Sequence, residues 1–180
     1  MINKQYCYKY PRPMVTTDIA LFSIRQSLPS VLLVQRKNEP AKNAWALPGG
    51  FLEMDENLRD SAYRELQEET GISNVTIYQM FTVGTLDRDP RGRVITVIYS
   101  GFYENGAEPH HGSDARDVRW FSLKELPDLA FDHGSILAEI CRLWISIRLH
   151  KNDNRFLIRD KFAEEFAHVQ SSCLGHEGII

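Results

Sequence analysis

Residues 46–56 read Ala-Leu-Pro-Gly-Gly-Phe-Leu-Glu-Met-Asp-Glu, and residues 64–72 read Arg-Glu-Leu-Gln-Glu-Glu-Thr-Gly-Ile. The first stretch closes a short apolar run, Trp45-Ala-Leu, with Pro48-Gly49-Gly50. Paired glycines permit backbone angles closed to other residues and predict a turn. The second stretch lies in a helix. Asn57 is a suitable N-cap, Leu58, Ala62 and Leu66 recur at four-residue spacing, and Gly71 supplies a C-terminal stop. At roughly 100° per residue, Glu65, Glu68 and Glu69 share one arc beside that apolar stripe, a charged face expected on the solvent side.

The density of charge here needs a partner. From Glu53 to Glu69 the acidic residues Glu53, Asp55, Glu56, Asp60, Glu65, Glu68 and Glu69 are set against only Arg59 and Arg64. Like charges three or four residues apart destabilise a helix by roughly 0.2–0.5 kcal/mol a pair. Carboxylates with no histidine or thiolate nearby suit a hard divalent cation, Mg2+ or Mn2+, rather than zinc. Magnesium keeps waters and shares its coordination with phosphates, so the implied substrate is phosphorylated.

Outward from this helix the chain alternates strands and helices. Residues 14–24 and 30–35 read as a hairpin joined across 26–29. Residues 75–86 and 94–103 are β-rich and flank the loop Asp87-Arg-Asp-Pro-Arg-Gly-Arg93. Residues 118–121 make a further strand, and Ser122-Leu-Lys-Glu125 reads as a capping-box turn into a short helix. Ile136, Leu137, Ile140, Leu143, Trp144 and Ile147 mark a second long amphipathic helix over 134–149. This order indicates an α/β sandwich of mixed sheet, not a βαβ repeat.

Bulk properties set the bounds. The 180 residues suit one domain over 1–150 with a short, partly helical extension over 151–180, where Phe156, Phe162 and Phe166 recur. With 43% hydrophobic and 25% charged residues and a net charge of -3, neither wholesale disorder nor bulk attraction to nucleic acid is expected. Cys7, Cys141 and Cys173 are widely spaced and odd in number, which argues against a disulfide framework or zinc site and for a reducing cytoplasm. No signal-peptide pattern is present, and no run approaches the roughly 20 apolar residues of a spanning helix, so no membrane partner is expected.

Gly50, Glu56 after five intervening residues, and Arg64-Glu65-Leu66, Glu68-Glu69 and Gly71-Ile72 after seven more, match every fixed position of the Nudix signature. The chain therefore resembles the Nudix hydrolases over residues 14–147, with the sharp motif confined to 50–72. The resemblance implies a Nudix-type α/β/α sandwich that hydrolyses a nucleoside diphosphate linked to another moiety with Mg2+ or Mn2+. Carried over by position, Glu65 and Glu69 are metal ligands, Glu68 is a third ligand or the base, and the Gly50 backbone is another oxygen donor. Glu56 and Arg64 fall where a supporting ion pair is usual. The base stays open between Glu68 and the acids Glu104, Glu108, Asp114 and Asp117 of loop 104–117.

Residues 10–18, 87–94 and 129–133 resemble the branch containing bacterial ADP-ribose pyrophosphatases and their sensor relatives. That likeness implies cleavage of ADP-ribose to AMP and ribose 5-phosphate. It also implies a homodimer in which Tyr6, Tyr8 and Tyr10 line a neighbouring subunit's pocket. Arg36, Arg88 and Arg91 are the substrate-binding candidates, with Arg93 beside them, because guanidinium suits phosphate oxygens. Trp45 stacks on a base or packs in the core, and His133 touches substrate or caps a helix. Sanitation of oxidised nucleoside triphosphates is one alternative. A non-catalytic ADP-ribose sensor, related to Nudix transcriptional regulators of NAD metabolism, is the other. The intact motif opposes the sensor, as does a tail with four basic against five acidic side chains, so no nucleic-acid partner is expected.

Overall fold

A computed structural model of the chain describes residues 6–104, 108–112 and 115–149. Its organising strand is β1 (Met14–Arg25), along which Thr17, Ile19 and Leu21 face one side and Asp18, Ala20 and Phe22 the other, all buried. A strand buried on both faces must be central. One edge of β1 pairs in parallel with β6 (Val94–Phe102), from Met14↔Val94 through Phe22↔Phe102. The other edge is shared by two antiparallel partners, β4 (Gly49–Phe51) at Thr16 to Asp18 and β2 (Leu28–Arg36) at Phe22 to Arg25. Gln26 and Ser27, at φ 50 and 67, close the hairpin with the primed turn that matches strand twist. β3 (Trp45–Ala46) and β7 (Ala115–Ser122) join β2, and β5 (Ile77–Val83) completes the sheet on β6.

Helix α1 (Leu58–Thr70) covers one face, with Ala62 and Leu66 against Ile19, Leu21, Leu32 and Tyr99. Helix α2 (His133–Leu149) covers the other, with Ile136, Leu137, Ile140 and Trp144 against Ala20, Phe22, Leu33 and Ile98. Trp144 Nε1 donates to Ser100 Oγ at 3.0 Å, and Ser100 Oγ donates to the Ala20 carbonyl at 2.9 Å, so these two buried polar groups between α2 and the sheet are paired. The α/β/α sandwich with mixed sheet is the expected architecture.

Two local expectations are corrected, and the N-cap at Asn57 holds through its backbone alone. Gly49 and Gly50 do not turn the chain; they lie in β4, because the missing side chains let this strand press onto α1. A Cβ on Gly50 would stand 2.3 Å from Glu65 Oε1. Asn57 has the extended N-cap backbone but makes no side-chain cap, its Nδ2 donating instead to Asp60 Oδ2 at 2.8 Å. Ser122–Glu125 stays a turn, with Ser122 Oγ accepting the Lys124 N–H at 3.2 Å, and no helix follows. Trp45 packs edge-on against Phe121 with centroids 4.6 Å apart. Among the described residues no helix is long and apolar enough to cross a membrane. The extension over 151–180 and Asp114 lie outside the described residues.

Candidate functional site

Helix α1 brings its carboxylates to β4, and Arg64 ties them together. Its Nε and Nη2 fork onto Glu56 at 2.9 and 2.7 Å, while Nη1 reaches Glu65 at 2.8 Å and Glu68 at 3.2 Å. Nη2 also donates to the Phe51 carbonyl at 3.1 Å, which fixes β4 to the helix. The Arg64 hydrogen bonds hold Glu56 down at a pKa of about 2. Glu69 reaches deeper, where its Oε2 accepts the Gly49 N–H at 2.9 Å. Burial lifts its pKa to about 8, the Gly49 hydrogen bond opposes, and the charges of Glu65 and Asp18 add to the rise. Burial also raises Glu65 despite Arg64.

The expected solvent-side acid face is therefore split. The Glu68 side chain is 56% exposed, but that of Glu65 is only 13% exposed, because β4 lies over it. Asp18 of β1 joins Glu69 from below, its Oδ2 accepting Thr96 Oγ1 at 2.5 Å. The sequence signal for Asp18 was a lone acid inside a run of buried strand residues, which a hydrophobic pattern passes over.

Beside these acids opens a cavity of about 430 Å³ including its mouth. Thr16 and Asp18 of β1, Arg36 at the end of β2, residues 49–51, Arg88, Asp89 and Arg91 of the β5–β6 loop, and Phe131 and His133 at the start of α2 line it. Arg36 Nε donates to the Pro40 carbonyl at 2.9 Å, and its guanidinium carbon lies 4.8 Å from the Phe131 centroid. Burial, then the neighbouring Arg91 charge, lower its pKa. Arg91 forks onto Asp89, with Nη2 to Oδ2 at 2.6 Å. Burial pushes Asp89 up, and the Arg91 hydrogen bonds and charge outweigh it, leaving a net lowering.

The two remaining basic candidates are held by other partners, Arg88 within the lining and Arg93 outside it. Arg88 forks onto Asp132 at 2.8 and 2.6 Å with its side chain only 4% exposed, and Arg93 donates to the Gly84 and Thr85 carbonyls outside the lining. His133 is a brace, with Nδ1 accepting the Leu47 N–H at 3.0 Å and burial lowering its pKa. Asp89, Asp132, Phe51 and Phe131 were not found from sequence, since their roles depend on arginines and walls brought together by distant segments.

The loop acids sit differently. Glu108 pairs with Arg25 at 3.1 Å and Asp117 with Arg119 at 2.5 Å. The loop is fastened to the end of α1, His110 N–H donating to the Thr70 carbonyl at 3.0 Å and Gly112 N–H to the Glu69 carbonyl at 3.4 Å.

Among the described residues no three acid, histidine or cysteine groups are gathered at ligand spacing, and Arg64 and the Gly49 N–H are the hydrogen-bond partners of Glu65, Glu68 and Glu69. The donor chemistry nonetheless fits a hard divalent cation. It is all oxygen, with Glu65 and Glu69 both largely buried and the charges of neighbouring acids adding to the rise in each.

Fold and site together define an α/β/α protein with an oxygen-donor acid cluster beside an arginine-lined cavity. The NUDIX domain model matches residues 12–140, and the chain belongs to that family. It is 41% identical over 134 residues to the ADPR responsive transcriptional repressor NtrR of Acinetobacter baylyi, a match covering 72% of this chain and 54% of that protein. The chain thus spans about half the length of the repressor. It is 37% identical over 142 residues to an ADP-ribose pyrophosphatase of Methanocaldococcus jannaschii, covering 79% of this chain and 83% of that one. The NUDIX domain of Shewanella oneidensis NrtR, solved in complex with ADP ribose, matches with a TM-score of 0.69 at 34% identity, over 74% of this chain and 90% of that one.

Proposed function

We propose that the chain is a Nudix pyrophosphohydrolase that cleaves a nucleoside diphosphate linked to another moiety, with ADP-ribose as substrate and AMP and ribose 5-phosphate as products. The observation that carries this is a cavity lined by Asp18, Gly49, Gly50, Arg36 and Arg91, with Gly49 hydrogen-bonded to Glu69 of α1. The similarity to an ADP-ribose pyrophosphatase over most of its length supports the substrate. A NUDIX domain that binds ADP ribose supports it too.

In this reading Glu65, Glu68, Glu69 and the Gly50 backbone would hold Mg2+ or Mn2+, which would supply neutralisation of the diphosphate and acidification of the attacking water. Glu68, with its exposed side chain, takes the water's proton as oxygen attacks phosphorus and the diphosphate P–O bond breaks. Arg64, anchored by Glu56, orients Glu65 and Glu68. Arg36 contacts phosphate oxygens, Arg91 joins it, and Arg88 braces the wall through Asp132. The working unit is residues 1–150 with 151–180 appended, acting as a homodimer in the cytoplasm.

The test is turnover with Mg2+ or Mn2+ against ADP-ribose, NADH, diadenosine polyphosphates and 8-oxo-dGTP. Preference for ADP-ribose supports the proposal, and preference for 8-oxo-dGTP replaces it with triphosphate sanitation. A second reading, a non-catalytic ADP-ribose sensor, is favoured by the 41% identity to a repressor. Tight ADP-ribose binding without turnover would establish that reading.

A further inference from the structure

The cavity is charged on most sides, yet two phenyl rings line it. Phe51 is 38% exposed and belongs to neither core cluster. Phe131 is held at φ 54, a left-handed conformation that bulky residues avoid and that persists where surrounding structure enforces it. The guanidinium of Arg91 lies against both, its central carbon 4.7 Å from the Phe51 centroid and 5.7 Å from that of Phe131. Asp89 grips this arginine by one edge, through Nε and Nη2, and also accepts its backbone N–H at 2.9 Å. Asp89 is itself buried, so the tether is firm while the flat end of Arg91 remains in the aromatic slot.

We propose that Phe51 and Phe131 form the slot for the nucleobase of the substrate, and that Arg91 occupies it as a placeholder until the base arrives. The inference rests on the nucleoside diphosphate reading above and adds the residues that select the nucleoside end. A guanidinium is planar and delocalised, and the ring faces that attract it also stack a purine. Displaced from the slot but still held near Asp89, Arg91 turns toward the diphosphate beside Arg36. Base entry and phosphate capture are thereby linked through one side chain. The slot reads the presence and breadth of a planar ring more than its hydrogen-bonding edge, because phenyl faces carry no donors or acceptors.

Two probes separate the base from the phosphates: ethenoadenosine, followed by fluorescence anisotropy, and inorganic pyrophosphate, followed by calorimetry with Mg2+. Phe51→Leu and Phe131→Leu weaken ethenoadenosine by about tenfold or more and leave pyrophosphate within about twofold. Phe51→Tyr restores the nucleoside. Arg91→Ala tightens ethenoadenosine and weakens pyrophosphate, opposite signs that a purely structural role for Arg91 does not give. Phe51 is exposed, so its variants decide the matter if Phe131→Leu fails to fold. Wild-type affinity for ethenoadenosine in folded Phe51→Leu, or equal loss of both probes, overturns the slot. Neither assay needs turnover. An enzyme that cleaves ADP-ribose with an indifferent Phe51→Leu refutes the slot alone. A protein that binds ethenoadenosine through Phe51 yet cleaves nothing refutes the hydrolase reading alone.

Discussion

Glu68 and Glu69 are neighbours in sequence with opposite surroundings. The exposed Glu68 can lose its charge without disturbing packing, so Glu68→Gln should fold normally by thermal melt while kcat falls about 10²–10⁴-fold, the usual scale for a lost general base. A Glu68→Gln variant retaining wild-type kcat would shift the role to a loop acid, with Glu108→Gln the next variant to assay. Glu69 carries the pH dependence. With its folded pKa raised to about 8 from an ordinary 4.5, the metal-free folded state holds a proton that the unfolded chain releases. This contribution to stability is complete below about pH 4.5 and is lost as pH rises through about 8. In EDTA the Glu69 part of stability should decline between pH 5 and 8, measured as the wild-type slope minus that of Glu69→Gln. Mg2+ or Mn2+ should bind more tightly with rising pH and release about one proton at pH 7, read by calorimetry in buffers of different ionisation enthalpy. The acids on α1 were legible because spacing alone puts them on one helix. Asp18 was not, since one carboxylate in a strand gains meaning only when Gly49 brings Glu69 over it.

Elements explain why the glycine pair was misread. Sequence marks Gly49 and Gly50 as unusual but cannot distinguish a turn from a close approach, and here approach decides. Gly50→Ala should push Glu65 off β4 and weaken Mn2+ binding in calorimetry, with the helix still present by circular dichroism. The loop fastening the end of α1 makes a similar demand, for a Cβ on Gly112 would stand 1.8 Å from the Glu68 carbonyl oxygen. Gly112→Ala should therefore speed amide exchange at His110 and at Gly71, whose left-handed φ of 70 ends the helix. His133→Ala strands the Leu47 N–H in the interior and should lower stability by about 1–3 kcal/mol, as measured by urea unfolding.

At the scale of the whole molecule, the layer order followed from the succession of strands and helices, with each helix carrying its own apolar stripe. Which strands run parallel did not, because a buried strand shows the same residues whichever way its neighbour points. That hidden pairing has a consequence during synthesis. In the register of β1 with β6, Thr16 and Thr96 stand 80 positions apart, so the first strand leaves the ribosome long before its parallel partner exists. At about 5–20 residues per second the wait is roughly 4–16 s, during which the Phe22 to Arg25 hairpin contact and the later β4 pairing at Thr16 to Asp18 occupy only the opposite edge of β1. Through that interval the β6 edge of Ile19-Ala-Leu-Phe22 stays unpaired and its α2 face uncovered, which suits chaperone capture or mispairing with another nascent chain. The strand that carries Asp18 beneath the acids is thus also the segment whose protection comes late in the chain's birth.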